Sequence, residues 1–174
     1  MLSAHQGLAS ASTEFERLLR DYPESDSGGA ASFGLGEALF GQARGPDFDQ
    51  DETSKAVAQW QSYLEKYPGH WLNEEARRRI ALARSRLATK LVNAANLYLK
   101  LKLPGPASVY FSKVIQEYSD TPLLGEALIG LARTKAMSGK RAEAIQSLKE
   151  LEAQFPGKPI AGRAARERAR LERN

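Results

Sequence analysis

The stretch AVAQWQSYLEKYP, residues 56–68, contains a pattern that recurs along the chain. A small residue is followed four positions later by a large apolar residue, and eight positions after that by a residue that ends a helix. An aromatic residue stands just before each of these ends. The other copies are ASTEFERLLRDYP at 11–23, ASVYFSKVIQEYS at 107–119 and AIQSLKELEAQFP at 144–156.

Self-similarity of this kind decides the fold before any motif is considered. It predicts an all-α protein, a tetratricopeptide-repeat superhelix in which helical hairpins stack into an α-α solenoid. We expect a single solenoid over residues 1–174. A partial first repeat at 1–27 precedes repeats at about 30–68, 72–119 and 121–156, and a capping helix follows at 159–174.

One helix in this solenoid is predicted to be much longer than the others. Residues 72–101 contain neither Gly nor Pro, so they predict one central helix of about 45 Å at about 1.5 Å per residue. We expect its basic side chains, Arg77, Arg78, Arg84 and Lys90, to be solvated. Its apolar seam consists of Leu72, Ala76, Ile80, Ala83, Leu87, Leu91, Ala94, Ala95 and Tyr98.

Several local signals predict helix ends and close contacts. Asp49 followed by Glu52 resembles a capping box at the start of a helix. Thr121 before Pro122 predicts an N-cap and a first-turn proline. Gly36 stands where hairpin repeats need a small residue, so that two helix backbones can approach.

Composition excludes several classes of site. The 174 residues include no cysteine, which excludes disulfides, thiolate metal sites and cysteine catalysis. No apolar run approaches the roughly 18 residues of a membrane span.

The net charge of the chain is +4. Five arginines between 163 and 173 carry part of it, and they predict a solvated capping helix or, alternatively, a contact with an acidic partner or lipid headgroups. We expect no nucleic acid, because the basic residues are not interleaved with exposed aromatics.

No catalytic, cofactor or metal site is expected. His5 and His70 are far apart in the sequence and lack ligand partners at metal-binding spacing. The acidic residues at 47–52 lack the central Gly and the late Glu of a calcium loop. Nucleophile and phosphate-binding motifs are also absent from the sequence. We expect Trp60 and Trp71 to pack between helices. Because the sequence contains no catalytic motif, it indicates a binding scaffold and not an enzyme.

A partner-binding groove is predicted from the hairpin geometry. The first helix of each hairpin lines the concave groove of a repeat solenoid, and its exposed positions can be counted from its small residue. Aromatic side chains beside an amide and two cations suit an extended peptide with an aromatic residue and a terminal carboxylate. The alternative is that the two Phe residues pack against a missing first helix. The predicted groove residues are Phe33, Glu37, Phe40, Asn96, Lys100, Arg133 and Met137.

From about Asp47 to Pro156, the order of elements is more specific than a generic repeat. An Asp-Gln-x-x-Thr stretch precedes a helix that ends in Tyr-Pro, and a long helix with a central Leu-Ala pair and an aromatic end follows. This order resembles the BamD family of outer-membrane protein assembly lipoproteins. The residues that carry it are Asp49, Gln50 and Thr53; Tyr67-Pro68; Leu87-Ala88; Tyr98-Leu99-Lys100; and Tyr118-Ser119-Asp120-Thr121.

The resemblance implies a periplasmic scaffold at the inner leaflet of the outer membrane. Its partners would be the periplasmic domains of a BamA-type protein, other assembly lipoproteins and unfolded barrel proteins. The alternatives are another cell-envelope repeat adaptor, for cell division or peptidoglycan, and a repeat domain of a larger regulator or enzyme.

The chain departs from that family in several respects. Ser119 stands where Pro is expected, and fewer repeats are present than in five-repeat members. Residues 1–7 lack the basic and apolar regions of a signal peptide, and no cysteine is present to carry a lipid. The first repeat lacks its first helix. We therefore expect the natural protein to extend further toward the N-terminus, with any lipid anchor outside the chain as given.

Overall fold

The computed structural model describes residues 2–22 and 27–173. Within these ranges the chain forms eight α-helices and no strand, which confirms the all-α prediction. Pro23, the turn residues 24–26 and the side chain of His5 lie outside the described part. The helices are α1 (Leu2–Asp21), α2 (Gly28–Gln42), α3 (Asp51–Lys66), α4 (Asn73–Lys100), α5 (Pro104–Glu117), α6 (Leu124–Met137), α7 (Arg141–Gln154) and α8 (Pro159–Arg173).

The recurring sequence pattern marks the most deeply buried positions. Its small and large residues in α3, α5 and α7 are fully enclosed, and the aromatic residue near its end is the C-cap of each helix. The backbone N–H of each C-cap donates to the carbonyl four residues earlier, which closes the last helical turn. The enclosed residues are Ala56, Trp60, Ala107, Phe111, Ala144 and Leu148, and the C-caps are Tyr67, Tyr118 and Phe155.

The chain divides into two compact units between Leu87 and Ala88. In the first unit, α2 packs against both α1 and α3. A Cβ placed at Gly34 would overlap Phe15 of α1, and one at Gly36 would overlap the indole of Trp60 in α3. Glycine therefore lets α2 approach a neighbour on each side, as the sequence predicted for Gly36.

The core of the first unit surrounds Trp60. Small residues of α3 and of the N-terminal half of α4 complete it, including Ala56, Ala76 and Ala83. The indole N–H of Trp60 donates to the carbonyl of Phe33 at 3.3 Å, so the buried polar atom of this large side chain is satisfied.

The second unit has two apolar clusters. The first joins the C-terminal half of α4 to α5 and α6 around Phe111. The second joins α6, α7 and α8 around Leu148. Helix α6 contributes to both clusters, and α8 covers the second with Ala164 and Ile160. The long central helix, predicted over 72–101, is confirmed as α4, and its two halves supply different cores.

Two predicted helix starts are wrong. Helix α3 begins at Asp51, so Asp49 and Glu52 form no capping box, and the N-cap is Gln50. Helix α6 begins at Leu124, and the hydroxyl of Thr121 donates to the carbonyl of Tyr118 at 2.7 Å. The hydroxyl of Thr121 therefore binds the backbone of the preceding turn and caps no N–H group of α6.

The side-chain contacts of Gln50 show why a glutamine stands directly before α3. Its side chain is buried, and its amide nitrogen lies within 2.8–3.4 Å of the carbonyl oxygens of Arg44, Gly45, Phe48 and Asp49. Its amide oxygen accepts the hydroxyl hydrogen of Thr53 at 2.8 Å. The Gln-x-x-Thr stretch therefore ties the 43–50 loop to the first turn of α3.

Candidate functional site

Four of the seven predicted groove residues line one groove in the second unit. Asn96 and Lys100 come from the last turns of α4, and Arg133 and Met137 come from α6. The groove has a volume of about 720 Å³. The hairpin geometry positions these side chains, because α4 and α6 are the first helices of successive hairpins. Their binding role stays a prediction.

The groove combines apolar surface with positive charge. Leu99, Ala136 and Leu171 supply apolar surface, and Met137 is 44% exposed beside them. Such a lining accepts an apolar side chain by displacing water. The charged lining residues are three cations, Lys100, Arg133 and Arg170, and one carboxylate, Glu126.

Arg133 is an anchored cation. Its guanidinium donates to Glu167 of α8 at 2.9 Å and lies 3.9 Å from Glu126. The hydrogen bond to Glu167 raises the pKa of Arg133 despite its partial burial. Burial alone raises the pKa of Glu167, but the hydrogen bond from Arg133 and the charges of Arg133 and Arg170 outweigh it, so the pKa of Glu167 is lowered. The pair therefore stays ionised and fixes α8 on α6.

Lys100 differs from Arg133 in its exposure and in its lack of an ion-pair partner within residues 6–22 and 27–173. Its side chain is exposed, and no described residue forms an ion pair with it. An incoming carboxylate can therefore bind its ammonium without displacing an internal partner. At Arg133, the same carboxylate would have to share the guanidinium with Glu126 and Glu167.

The other three predicted residues, Phe33, Glu37 and Phe40, lie in the first unit. Phe33 and Phe40 are half-buried and not the exposed aromatics that the sequence analysis expected. Their rings lie 6.4 and 5.7 Å from that of Trp60 between centroids. Both therefore pack on α3, the second helix of their own hairpin.

Glu37 is also occupied within the first unit. Its carboxylate lies 3.1 Å from the Nε of Arg79 in α4. Burial raises the pKa of Glu37, and the charge of Arg79 offsets part of that rise. The guanidinium of Arg86, also in α4, lies 4.3 Å from the centre of the Phe40 ring, a stacking distance for a cation.

Trp71 lies on the surface, so its predicted packing between helices is wrong. It is 79% exposed, and its indole stacks on the ring of His70 at 5.7 Å between centroids. His70 is itself fixed by Tyr63, whose hydroxyl lies 2.8 Å from its Nδ1. The apolar seam of the long helix begins at Leu72, and Trp71 belongs to the α3–α4 turn before it, so helical periodicity could not place it.

Five residues of the groove were not predicted from the sequence, although the position of one of them could have been. Glu126 precedes Arg133 by two helical turns, so its spacing places it on the same face of α6. Arg170 and Leu171 are present only because α8 returns to pack on α6, which the pattern does not predict. The remaining two are Leu99 and Ala136.

Among the described residues, no three His, Asp or Glu side chains come together as metal ligands would. In the same part of the chain, no helix combines the length and the apolar character needed to cross a membrane.

The paired helices, with enclosed small and large residues at a fixed spacing, define a tetratricopeptide-repeat protein, and residues 126–157 match the tetratricopeptide-repeat family model. Residues 4–137 match the YfiO family model, described as outer membrane lipoprotein, and the chain belongs to this family.

A curated relative is the outer membrane protein assembly factor BamD of Caulobacter vibrioides. The two chains are 28% identical over 149 residues, which cover 86% of this chain and 49% of that protein. This chain therefore spans about half the length of the curated relative it matches.

Proposed function

We propose that this chain is a protein-binding scaffold, not an enzyme, and that it takes part in the assembly of outer-membrane proteins. Its membership of an outer membrane lipoprotein family and its similarity to a BamD assembly factor support this proposal. They favour it over a cell-division or peptidoglycan adaptor and over a fragment of a larger regulator. Its action is docking by shape and charge.

In this proposal the scaffold works at the periplasmic face of the outer membrane, where a lipid anchor attaches it. Its partners are the periplasmic domains of a BamA-type protein, other assembly lipoproteins and unfolded barrel proteins. The groove between α4, α6 and α8 receives the substrate as an extended peptide.

The observation that carries the proposal is the juxtaposition of Met137 and Lys100 in one groove. Met137 offers a flexible, polarisable surface for an aromatic ring. Lys100 supplies an ammonium that forms no ion pair with the described part of the chain, and Asn96, from the preceding turn of α4, supplies amide donors. A peptide that ends in an aromatic residue presents the complementary pair, one ring and one carboxylate, on adjacent atoms.

Peptide binding tests the groove. A fluorescent peptide ending in Phe is titrated against wild type and Lys100→Glu, and the same peptide with an amidated C-terminus is the matched ligand. We expect Lys100→Glu to weaken the free-acid peptide about tenfold, or about 1.4 kcal/mol. The amidated peptide should bind weakly to both proteins, because its terminus carries no charge.

The control variant is Lys66→Glu, which makes the same charge change on an exposed residue of α3. Arg133 is left unchanged, because its removal would leave Glu167 buried without its main partner. Equal affinity of wild type and Lys100→Glu for the free acid would remove this groove as the site. No binding of the free acid to wild type would remove it as well.

The wider assignment needs a partner test. The full-length natural protein is used as bait in an envelope extract, and the captured proteins are identified by mass spectrometry. We expect a BamA-type barrel protein among them. Capture of cell-division or peptidoglycan proteins without it would contradict the assembly role.

A further inference from the structure

The arginines of α8 form one continuous face. Arg163, Arg166, Arg170 and Arg173 follow one another at intervals of three and four residues, so they lie along one side of the helix. All four are exposed. With Arg133 of α6 they line a second groove of about 290 Å³, at whose base lies Ile129. We call these five residues the arginine face.

The charge of this face is only partly neutralised. Arg163 pairs with Glu126, and Arg170 pairs with Glu167 at 2.7 Å. Glu167 also serves Arg133. Five guanidinium groups therefore share two carboxylates, which leaves three positive charges. Arg166 and Arg173 form no ion pair with any described residue.

Other arginine positions show that this excess is local. Arg168 lies on the opposite side of α8 and is fully used, with Glu152 of α7 at 2.7 Å and Glu172 at 3.1 Å. The Nε of Arg133, in contrast, is buried and has no hydrogen-bond partner among the described residues. The arginine face therefore keeps an excess of positive charge, which Arg168 does not share.

We propose that the arginine face, which shares Arg133 and Arg170 with the peptide groove, binds an acidic segment of a partner protein. Guanidinium groups bind carboxylates through charge-assisted hydrogen bonds, and this face already holds Glu126 and Glu167 through single contacts with Arg163, Arg133 and Arg170. The first and last of the four arginines of α8 are ten residues apart, or about 15 Å along the helix. A run of Asp and Glu side chains fits that length.

The shape of the face favours a protein segment over a lipid surface. A helix that lies on a bilayer exposes large apolar side chains beside its basic ones. Among the described residues of α8, none of the large apolar side chains is exposed. The groove between α6 and α8 is also concave, whereas a bilayer surface presents headgroups in a plane.

The test uses fluorescein-labelled deca-glutamate as the probe and deca-glutamine as the neutral control. Wild type is compared with Arg166→Glu/Arg173→Glu, which removes no internal ion pair. Lys66→Glu/Lys149→Glu is the matched control, because it makes the same charge change at exposed positions of α3 and α7. Circular dichroism and melting curves confirm that all variants are folded.

We expect wild type to bind deca-glutamate and not deca-glutamine. The Arg166→Glu/Arg173→Glu variant should bind deca-glutamate at least about tenfold more weakly than wild type. The control variant should bind it no more than about twofold more weakly. Arg166→Gln/Arg173→Gln should give an intermediate loss. The peptide ending in Phe should keep its affinity in the Arg166/Arg173 variant, since those residues do not line the other groove.

Three results would overturn the proposal. The first is no binding of deca-glutamate to wild type. The second is an equal loss in the control pair, which would indicate only net charge. The third uses phosphatidylcholine vesicles with about 30% phosphatidylglycerol. Vesicle binding that requires Arg166 and Arg173, and that deca-glutamate does not displace, would assign the face to anionic lipid.

Discussion

Trp60 shows how one residue can organise a hairpin. It is fully enclosed, rests against the backbone of Gly36 in α2 and contacts the rings of Phe33 and Phe40 at a tilt. We expect Trp60→Ala to lower the free energy of unfolding by about 3–5 kcal/mol, because the cavity cannot be refilled. Denaturant unfolding followed by circular dichroism measures it.

Trp71→Ala is the matched control, since Trp71 is 79% exposed. Its effect should stay within about 0.5 kcal/mol. Similar losses for the two variants would contradict the burial that distinguishes the two tryptophans.

Glu167 should make the stability depend on pH. Its pKa is lowered in the folded chain, so its stabilising effect is present above the ordinary Glu pKa of about 4.3 and is lost as the pH falls through the lowered pKa. We expect Glu167→Gln to cost about 1–3 kcal/mol at pH 7 and to lose less stability than wild type on acidification. Unfolding curves at several pH values test this.

An exposed carboxylate serves as the comparison for Glu167. Glu143 pairs with Lys140 at 3.7 Å on the surface of α7. Glu143→Gln should leave the acid dependence of stability close to wild type, because exposed pairs contribute little. Parallel acid profiles for wild type and Glu167→Gln would show that Glu167 does not carry the effect.

At the residue scale, the sequence predicted burial better than it predicted polar contacts. The burial of Trp60 followed from its place in a repeated pattern. The contacts of Gln50 and Thr121 did not, since they depend on where loop carbonyls lie in space. The predicted packing of Trp71 was wrong because residues in a turn have no periodic spacing from which their exposure can be predicted.

At the scale of elements, α4 offers the clearest test. Ala83 is fully buried in its seam, and Ala81 lies on the exposed side of the same turn. Ala81→Gly should cost about 1 kcal/mol through helix propensity alone. Ala83→Gly should cost about 2 kcal/mol, because it also removes a buried methyl group. Chemical denaturation compares the two.

Hydrogen exchange checks that α4 is one element. Amides from residue 80 to residue 95 should exchange slowly throughout, since the sequence holds no Gly or Pro there and the helix is continuous. A fast-exchanging break near Leu87 would contradict a continuous helix.

The helices were predictable where their ends are set by backbone chemistry. Proline and glycine end or begin α3, α5, α7 and α8, and these limits agree with the sequence within one or two residues. Helix α1 begins at Leu2, six residues before Leu8, where the apolar spacing of this segment starts. Its first residues lack the apolar spacing from which a helix is recognised, so the pattern had no signal for them.

At the scale of the whole molecule, repeat proteins gain stability from neighbouring elements. Trp60→Ala should therefore lower amide protection most in α2 and α3, and Leu148→Ala most in α7 and α8, the helices around each core residue. Native-state hydrogen exchange on the full chain measures both. Equal losses of protection in all helices for either variant would indicate a single cooperative unit.

The candidate site was predictable only in part. Asn96, Lys100, Arg133 and Met137 came together because the repeat sets the phase of α4 and α6. Phe33 and Phe40 were expected on the same surface, but they pack on Trp60. Sequence spacing gives the face of a helix, whereas the neighbour that covers that face depends on packing.

The contacts of Gln50 make the chain sensitive to the replacement of a single atom. Hydrolysis slowly converts glutamine to glutamate: water supplies an oxygen in place of the amide nitrogen, which leaves as ammonia. At Gln50 the new oxygen would face the four carbonyl oxygens that the nitrogen now contacts, inside a buried loop. Because acceptors repel and a buried carboxylate costs several kcal/mol, the loop at 43–50 would open in the deamidated protein. The replacement of one atom would then be detected as cleavage of this loop by a protease.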